Sequence, residues 1–397
     1  MRAAIILCFY FPLVTNLLNV QAFISNFLSA TIAQIFAYGN LMLLIIGVLI
    51  IIRQTKPFTP LIKLWFAFYI FYYSIALFAN VLLDTTPPIL KTLVPVVYFV
   101  SFSFLLSIPS QIKKVSKILA ISFFVSSVFI ILFNYFNFSL DHDGVYEYKL
   151  ERAGGLYGDA NNACIVAILA FIFIKSIITT KTNGQVILKV IALFITSYAV
   201  IITFSKTGFV VFLLILSLLY RHLFTVQRLL LSIIFIPLFL YAAITWAISS
   251  DNLSRIQKER VESIVNIITL NTDKVGLSDR DILFKNMLSF IQENPYIGNG
   301  INFSNIIRGH NTIFGVWADA GILVFLLFLF LIFSFFKKAI FSENSLKYFG
   351  VAILTTLTIF MMTLQTIINQ GYLMVLFSLL SFIFYKTKGD IKNIMYN

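Results

Sequence analysis

Arg152, Lys206, Arg280, Arg308 and His310 each stand in a polar break between long apolar runs of this 397-residue sequence. Guanidinium groups grip phosphate oxygens in pairs, and a fixed cation stabilises charge that develops on a leaving oxygen. A histidine near its unperturbed pKa can take a proton at neutral pH. Several cations and one base suit the departure of a diphosphate while a hydroxyl attacks. No Asp/Asn/Glu group with metal spacing accompanies them, so the expectation is chemistry with no metal and no cofactor, in which cationic side chains take the metal's place.

The cations fall in three stretches. In the first, Arg152-Ala-Gly-Gly-Leu-Tyr-Gly-Asp159-Ala-Asn161-Asn162, glycines let a ligand or a helix approach the backbone, and Asp159 or Asn161 can cap a following helix whose dipole favours an anion. It reads equally well as a capped, Gly-rich helix entry. The second is Phe204-Ser205-Lys206-Thr207-Gly208 between two apolar runs. Lys206 either snorkels at a tight turn or answers an anionic partner. The third holds Arg280, then Glu293-Asn294-Pro295-Tyr296-Ile297-Gly298-Asn299-Gly300, then Arg308-Gly309-His310-Asn311 and Gly321. His310 alone would be an ordinary interfacial histidine; its neighbours favour a role in chemistry. His142, between Asp141 and Asp143, reads as a solvated loop residue, and His222 beside Arg221 as a helix anchor.

The elements that position these residues are membrane helices. Mean hydropathy is +0.95, hydrophobic residues make up 60% and charged residues 11%, too little charge for a water-facing surface. Twelve stretches are long and apolar enough to span: about 3–20, 36–53, 61–84, 90–108, 116–136, 160–178, 186–204, 207–221, 228–249, 313–336, 347–366 and 370–385. Charge placement orients them. Alternate gaps carry Arg53 and Lys56; Lys113, Lys114 and Lys117; Lys175 and Lys181; Arg221 and Arg228; Lys337, Lys338 and Lys347; and Lys386, Lys388 and Lys392. Such gaps lie on the cytoplasmic side, which places both ends there. The same rule explains the net charge of +13, because the basic residues are dispersed rather than gathered in a stripe for nucleic acid. The apolar start of the chain resembles a secretory signal peptide, but reading it as an uncleaved first helix preserves the topology. Cys8 and Cys164 lie in apolar runs and suggest neither a disulfide framework nor a metal site.

The expected fold is therefore all-α: a polytopic membrane helix bundle of about 12 transmembrane helices, with residues 1–397 as one transmembrane domain. One large extracytoplasmic loop, 250–312, interrupts it. That loop balances seven Lys/Arg against seven acids, and Asp279 to Glu293 carries helical spacing that Pro295 and Gly298 end. Asn252 to Ile268 is a second helical candidate. A loop of this length usually either works or is disordered, and the patterning favours work.

These residues resemble the O-antigen ligase and Wzy-type O-antigen polymerase superfamily of bacterial membrane glycosyltransferases, over about 150–335. Arg152-x-Gly-Gly through Asn161 is similar to the family's glycine- and Asn-containing helix entry. Ser205-Lys206 stands in place of its Ser-Arg block. Arg280 to Gly321 resembles its periplasmic signature: an arginine-led helix, Pro-x-x-Gly-x-Gly, then His-Asn and a glycine ten positions after the Asn. Two departures matter. Lys206 keeps the charge of the usual arginine without its fork, and Val324 replaces a small or hydroxylated residue that ligases tend to carry, which leans towards a polymerase.

The resemblance implies a GT-C-like fold and a donor glycan on undecaprenyl diphosphate. It implies His310 and Arg280 as catalytic residues, His310 activating the acceptor hydroxyl. Lys206, Arg152, Arg308, Asn161 and Asn311 would bind diphosphate or glycan. The expected setting is the bacterial inner (cytoplasmic) membrane with the site facing the periplasm. Expected partners are the lipid-linked oligosaccharide, the bilayer and a chain-length regulator. A polymerase would pass the chain to a lipid-linked repeat unit; the alternative, an O-antigen ligase, would pass it to lipid A–core. A lipid-linked glycan flippase is a third reading, disfavoured because transporters show internal repeats and midplane binding groups.

Overall fold

The computed structural model of the protein describes residues 2–87, 89–140, 144–145, 152–223, 255–268, 279–342 and 345–385. Within a bilayer core, backbone polar groups find no water, so a spanning chain must close its hydrogen bonds inside helices. The described residues are accordingly helical apart from turns and one two-residue ladder, Phe138–Ser139 against Gly144–Val145. The chain is an all-α polytopic membrane protein.

Seven described helices are long and apolar enough to cross a membrane, or up to eight if a bent pair counts as one span. The pair is α1 (Arg2–Leu17) and α2 (Val20–Phe27), bent by 67°. The seven are α3 (Ala30–Gln54), α4 (Pro60–Leu82), α5 (Ile89–Leu106), α6 (Pro109–Tyr135), α7 (Ala160–Ile177), α8 (Asn183–Ile202) and α12 (Thr312–Ile340). Shorter apolar helices are α9 (Lys206–Leu219), α13 (Ser345–Met361) and α14 (Gly371–Phe384). The expected ninth span, 228–249, lies outside the described residues, as does His142. The loop contains α10 (Arg255–Ile268) and α11 (Asp279–Glu293).

Hydropathy alone cannot rank these helices, because lipid and protein interior are equally apolar to a leucine side chain. Packing ranks them. In α7, 83% of the spanning window is buried, against 22% in α3 and in α8. Ala163, Ala167 and Ala170 recur at helical spacing on α7 and let α6, α8 and α13 pack close against it. Every residue of α14 is buried as well. Hydroxyl pairs tie α14 to its neighbours: Ser103 to Ser378 at 3.1 Å, and Thr59 to Ser381. The outward faces of α3 and α8 carry exposed Leu49, Leu188 and Phe194, as lipid contact requires.

The alternation of the helices brings one set of termini to one end of the bundle, here called the upper end. The starts of α3, α5, α7, α9, α12 and α14 lie there, with the ends of α4, α6, α8 and α13. All three cation-bearing stretches belong to it.

Candidate functional site

At the upper end the entries of α7 and α9 are locked together. Asp159 caps α7 by accepting from the backbone N–H groups of Asn161 (3.0 Å) and Asn162 (2.8 Å). Ser205 caps α9, its Oγ accepting from Gly208 N at 3.1 Å. The two caps meet at Asn161. Its Oδ1 accepts from Ser205 Oγ at 2.8 Å and from Arg152 Nη2 at 3.2 Å. Arg152 Nε donates to the Thr203 carbonyl at 3.2 Å, and Ala153 N donates to Ile202 O at 3.3 Å, so the segment before α7 is stitched to the last turn of α8. Lys206 is the first residue of α9, half-buried directly beside the Ser205 cap. Asn161 is only 4% exposed, and its Nδ2 has no hydrogen-bond partner among the described residues. A buried donor left without an acceptor costs about 1–3 kcal/mol, and that orphan points to an acceptor supplied from outside the chain.

His310 enters from the loop. It sits at the foot of α12 in the left-handed region (φ 49°), two residues after Arg308, which shares that conformation (φ 52°). The His310 backbone N–H donates to Gln365 Oε1 at 2.8 Å, and Gln365 Nε2 donates to Asn305 Oδ1 at 2.7 Å. Asn311 caps α12 through Phe314 N (3.0 Å), and its Nδ2 donates to the Met362 carbonyl at 3.3 Å. Thr312 N donates to Leu364 O at 2.9 Å. Helix α13 ends at Met361 and not at 366, as hydropathy suggested. The carbonyls of Met362 and Leu364, just past its end, bond to the start of α12.

The segment 294–304 is wedged into α12 rather than hanging over it. Gly321 breaks α12 with φ 77° and ψ 178°. The backbone groups freed by the break are taken up by the loop: Ile322 N donates to Pro295 O (2.9 Å), Asn299 N to Ala318 O (2.8 Å) and Gly300 N to Asp319 O (3.0 Å). A Cβ on Gly321 would lie 2.0 Å from Tyr296 O, and one on Gly298 would lie 2.5 Å from Asp319 O, so neither position has room for a side chain. Asp319 fastens the same joint. It is 5% exposed, accepting from Tyr72 Oη (2.8 Å), Ser304 N (2.6 Å) and Ser304 Oγ (3.2 Å).

The segment after α13 touches both clusters. Gln365 holds His310, and Gln370 Nε2 donates to Asn162 Oδ1 at 2.8 Å, one residue from Asn161. Five residues reach at most about 18 Å fully extended, and Ile367–Asn369 is a 3₁₀ turn, so the true span is shorter. His310, Asn311, Arg152, Asn161 and Lys206 are thus gathered at one end of the bundle. Arg280 is the second residue of α11, whose Met287 and Ile291 are buried together with Ala318 of α12. Arg308 is exposed, and its side chain has no hydrogen-bond partner among the described residues. Among the described residues no three His, Cys, Asp or Glu side chains gather as a metal site.

Sequence reasoning passed over Asp319, Gln365 and Gln370. An acid within an apolar run was a signal for the first. For the glutamines the only signal was their presence in a short polar break, Thr363 to Gln370.

Fold and site together define a polytopic membrane protein whose polar and cationic groups converge at one end. Residues 191–329, about a third of the chain, match the family model described as O-antigen ligase. The match supports the O-antigen ligase and polymerase superfamily for this chain, and with it a glycosyltransferase type of enzyme activity. It spans Lys206, Arg280, Arg308, His310, Asn311 and Gly321, while Arg152 and Asn161 precede it. No curated protein matches the chain.

Proposed function

We propose that this protein is a surface-polysaccharide polymerase that works on the outer face of the bacterial cytoplasmic membrane. It transfers a glycan from undecaprenyl diphosphate to a lipid-linked repeat unit. The observation that carries the reading is the orphaned Asn161 Nδ2, buried beside the Arg152 guanidinium and one cap away from Lys206. A donor and two cations on adjoining helix entries form a receptor for an anion with several oxygens.

In the proposed reaction the acceptor hydroxyl oxygen attacks the anomeric carbon as the bond to the diphosphate oxygen breaks, inverting that carbon. His310 takes the hydroxyl proton, and the bonding pair leaves with the diphosphate. Lys206 and Arg280 neutralise it, Asn161 donates to it, and Arg152 and Arg308 add positive potential at the mouth. Arg152 also orders the α7 entry through Thr203. Side-chain cations serve the leaving group, so the step as written needs no metal or nucleotide. The basic gaps at the other end of the bundle support the outward orientation.

The second reading is an O-antigen ligase, since donor and chemistry would be shared; Val324 beyond the Gly321 break favours the polymerase. Cells carrying His310→Ala or Arg280→Ala, at normal membrane levels, are expected to lose long surface polysaccharide. Full-length polymer in those cells would overturn the enzymatic reading. Deletion of a polymerase leaves lipid A–core capped with single repeat units, deletion of a ligase leaves long chains on the lipid carrier, and loss of a flippase leaves repeat units on the cytoplasmic face.

A further inference from the structure

A cavity of about 530 Å³ opens at the upper end, its wall reaching the α7 entry at Tyr157 and Asn162. Its size falls in the range of small-ligand pockets. Its walls come from the bend between α1 and α2, the first turns of α3 and α5, Tyr157 and Asn162 at the α7 entry, and residues 369–372. Amide side chains supply most of its polar groups: Asn16, Asn19, Gln21, Gln34, Asn162, Asn369 and Gln370. Lys91 is the one charged residue on the wall. The comparable cavity at the other end is different in kind, lined by Arg2, Lys114 and Lys117.

The amides fall into two groups. Four are anchored. Asn16 Oδ1 accepts from Tyr372 N (3.0 Å), Asn19 Nδ2 donates to Leu156 O (2.7 Å), and Gln370 bridges Asn162 (2.8 Å) and the Tyr372 hydroxyl. The Tyr157 hydroxyl donates to Leu17 O, and burial pushes this phenol up from its ordinary pKa, so it stays neutral. These bonds make a stiff, uncharged wall. Gln21, Gln34 and Asn369 are exposed on it, with side chains that make no hydrogen bond to other described residues.

An amide offers two N–H donors and a carbonyl acceptor on one plane, which matches the donor-and-acceptor character of vicinal hydroxyls. A phosphate would need donors and cations only, and an acyl chain would need apolar walls; this cavity supplies neither set. The exposed ring of Tyr38 adds flat apolar surface of the kind a pyranose ring covers. Asn162 is a wall residue, and its neighbour Asn161 holds the cationic cluster. We infer that this cavity is a binding site for neutral sugar rings, holding part of the glycan while its diphosphate end lies at the Arg152–Asn161–Lys206 cluster. The inference rests on the glycosyltransferase reading above.

The test uses the full chain in lipid nanodiscs. The probe is the short neutral oligosaccharide that mild acid releases from the source cells' own lipid-linked glycan. Wild type should bind it saturably, and inorganic diphosphate should not displace it. Gln34→Ala combined with Asn369→Ala should weaken binding at least tenfold with no change in thermal stability. Ala37→Trp, which fills the wall between Gln34 and Tyr38, should abolish binding, and His310→Ala should leave it intact. No binding by wild type, wild-type affinity in both cavity variants, or displacement by inorganic diphosphate would each overturn the inference. Cellular polymer separates this from the parent reading. Normal polymer in His310→Ala cells removes the enzyme assignment, whereas unaltered sugar binding in the cavity variants removes only the sugar site. Feeding each cavity variant excess donor or excess acceptor distinguishes which lipid-linked substrate supplies the ring, by whichever KM rises.

Discussion

Gln365 holds the backbone of His310. Fifty-five positions apart in the chain, the two are joined by the His310 N–H donating to Gln365 Oε1 at 2.8 Å, while the glutamine's own Nε2 reaches Asn305 at 2.7 Å. The left-handed conformation at His310 is uncommon for a non-glycine residue, and this bond is one of the contacts that maintain it. The proposed base is therefore set by the turn after α13 as much as by its own loop.

Gln365→Ala should accordingly lower kcat for glycan transfer by about 10- to 100-fold, with KM nearly unchanged, because a small misplacement of a reacting group is that costly. Gln365→Glu keeps the acceptor for His310 N and loses only the donor to Asn305, so it should fall between alanine and wild type. Steady-state transfer with purified lipid-linked substrate measures both. Equal kcat in wild type and Gln365→Ala would show that the glutamine does not position His310.

Gly321→Ala tests the break in α12. The new Cβ would meet the Tyr296 carbonyl, and the backbone would be held at φ 77°, a strain that by itself costs about 1–3 kcal/mol. The expected result is a lower melting temperature in detergent, together with lost transfer. Gly39→Ala, which has open space at its Cβ, is the control and should melt like wild type.

Asp319 should separate packing from charge. Asp319→Ala leaves Tyr72 Oη and both Ser304 donors without their buried acceptor, at about 1–3 kcal/mol for each unsatisfied group. Asp319→Asn retains a carbonyl for Ser304 N and should lose less. Melting curves of the two variants should rank Ala below Asn; the reverse order would mean that the carboxylate serves something other than this joint.

Lys206 and its cap can be tested apart. Ser205→Ala removes the bond to Gly208 N and should cost about 1 kcal/mol of stability, with a modest loss of transfer. Lys206→Met should reduce transfer at least 100-fold without affecting melting, and Lys206→Arg should restore most of it, because the fork of arginine suits a diphosphate at least as well. Transfer by Lys206→Met at the wild-type rate would remove Lys206 from the site.

Much of the helical layout was legible because the bilayer imposes it. A run of about 20 apolar residues has few alternatives in lipid, and most helix limits expected from hydropathy lie within a few residues of those observed. Exceptions are local. Beyond the end of α13 at Met361 the chain turns to bond with Asn311 and Thr312, and α1 is bent from α2 at Asn19, which adopts a left-handed turn (φ 48°). The loop was harder to read. Its polarity marked it as outside the bilayer and its patterning as a working loop, and neither showed that Asn294 to Ser304 packs into α12 at the break at Gly321.

The sequence by itself determined that the chain crosses a membrane many times and that Arg152, Lys206, Arg280, Arg308 and His310 fall in gaps on one side of it. Hydropathy and charge are properties of each segment, read by lipid and potential one segment at a time. Only the tertiary structure decided which polar groups meet. Asn161 with Arg152 and Ser205, Asp319 with Tyr72, Gln365 with His310, and the amide cavity between α1 and α14 all join residues far apart in the chain. In a sequence this apolar throughout, periodicity does not tell a lipid-facing side from a packed one. The meeting of those groups is therefore fixed by close packing around α7 and α14, where small residues and buried hydrogen bonds leave each helix one place to sit.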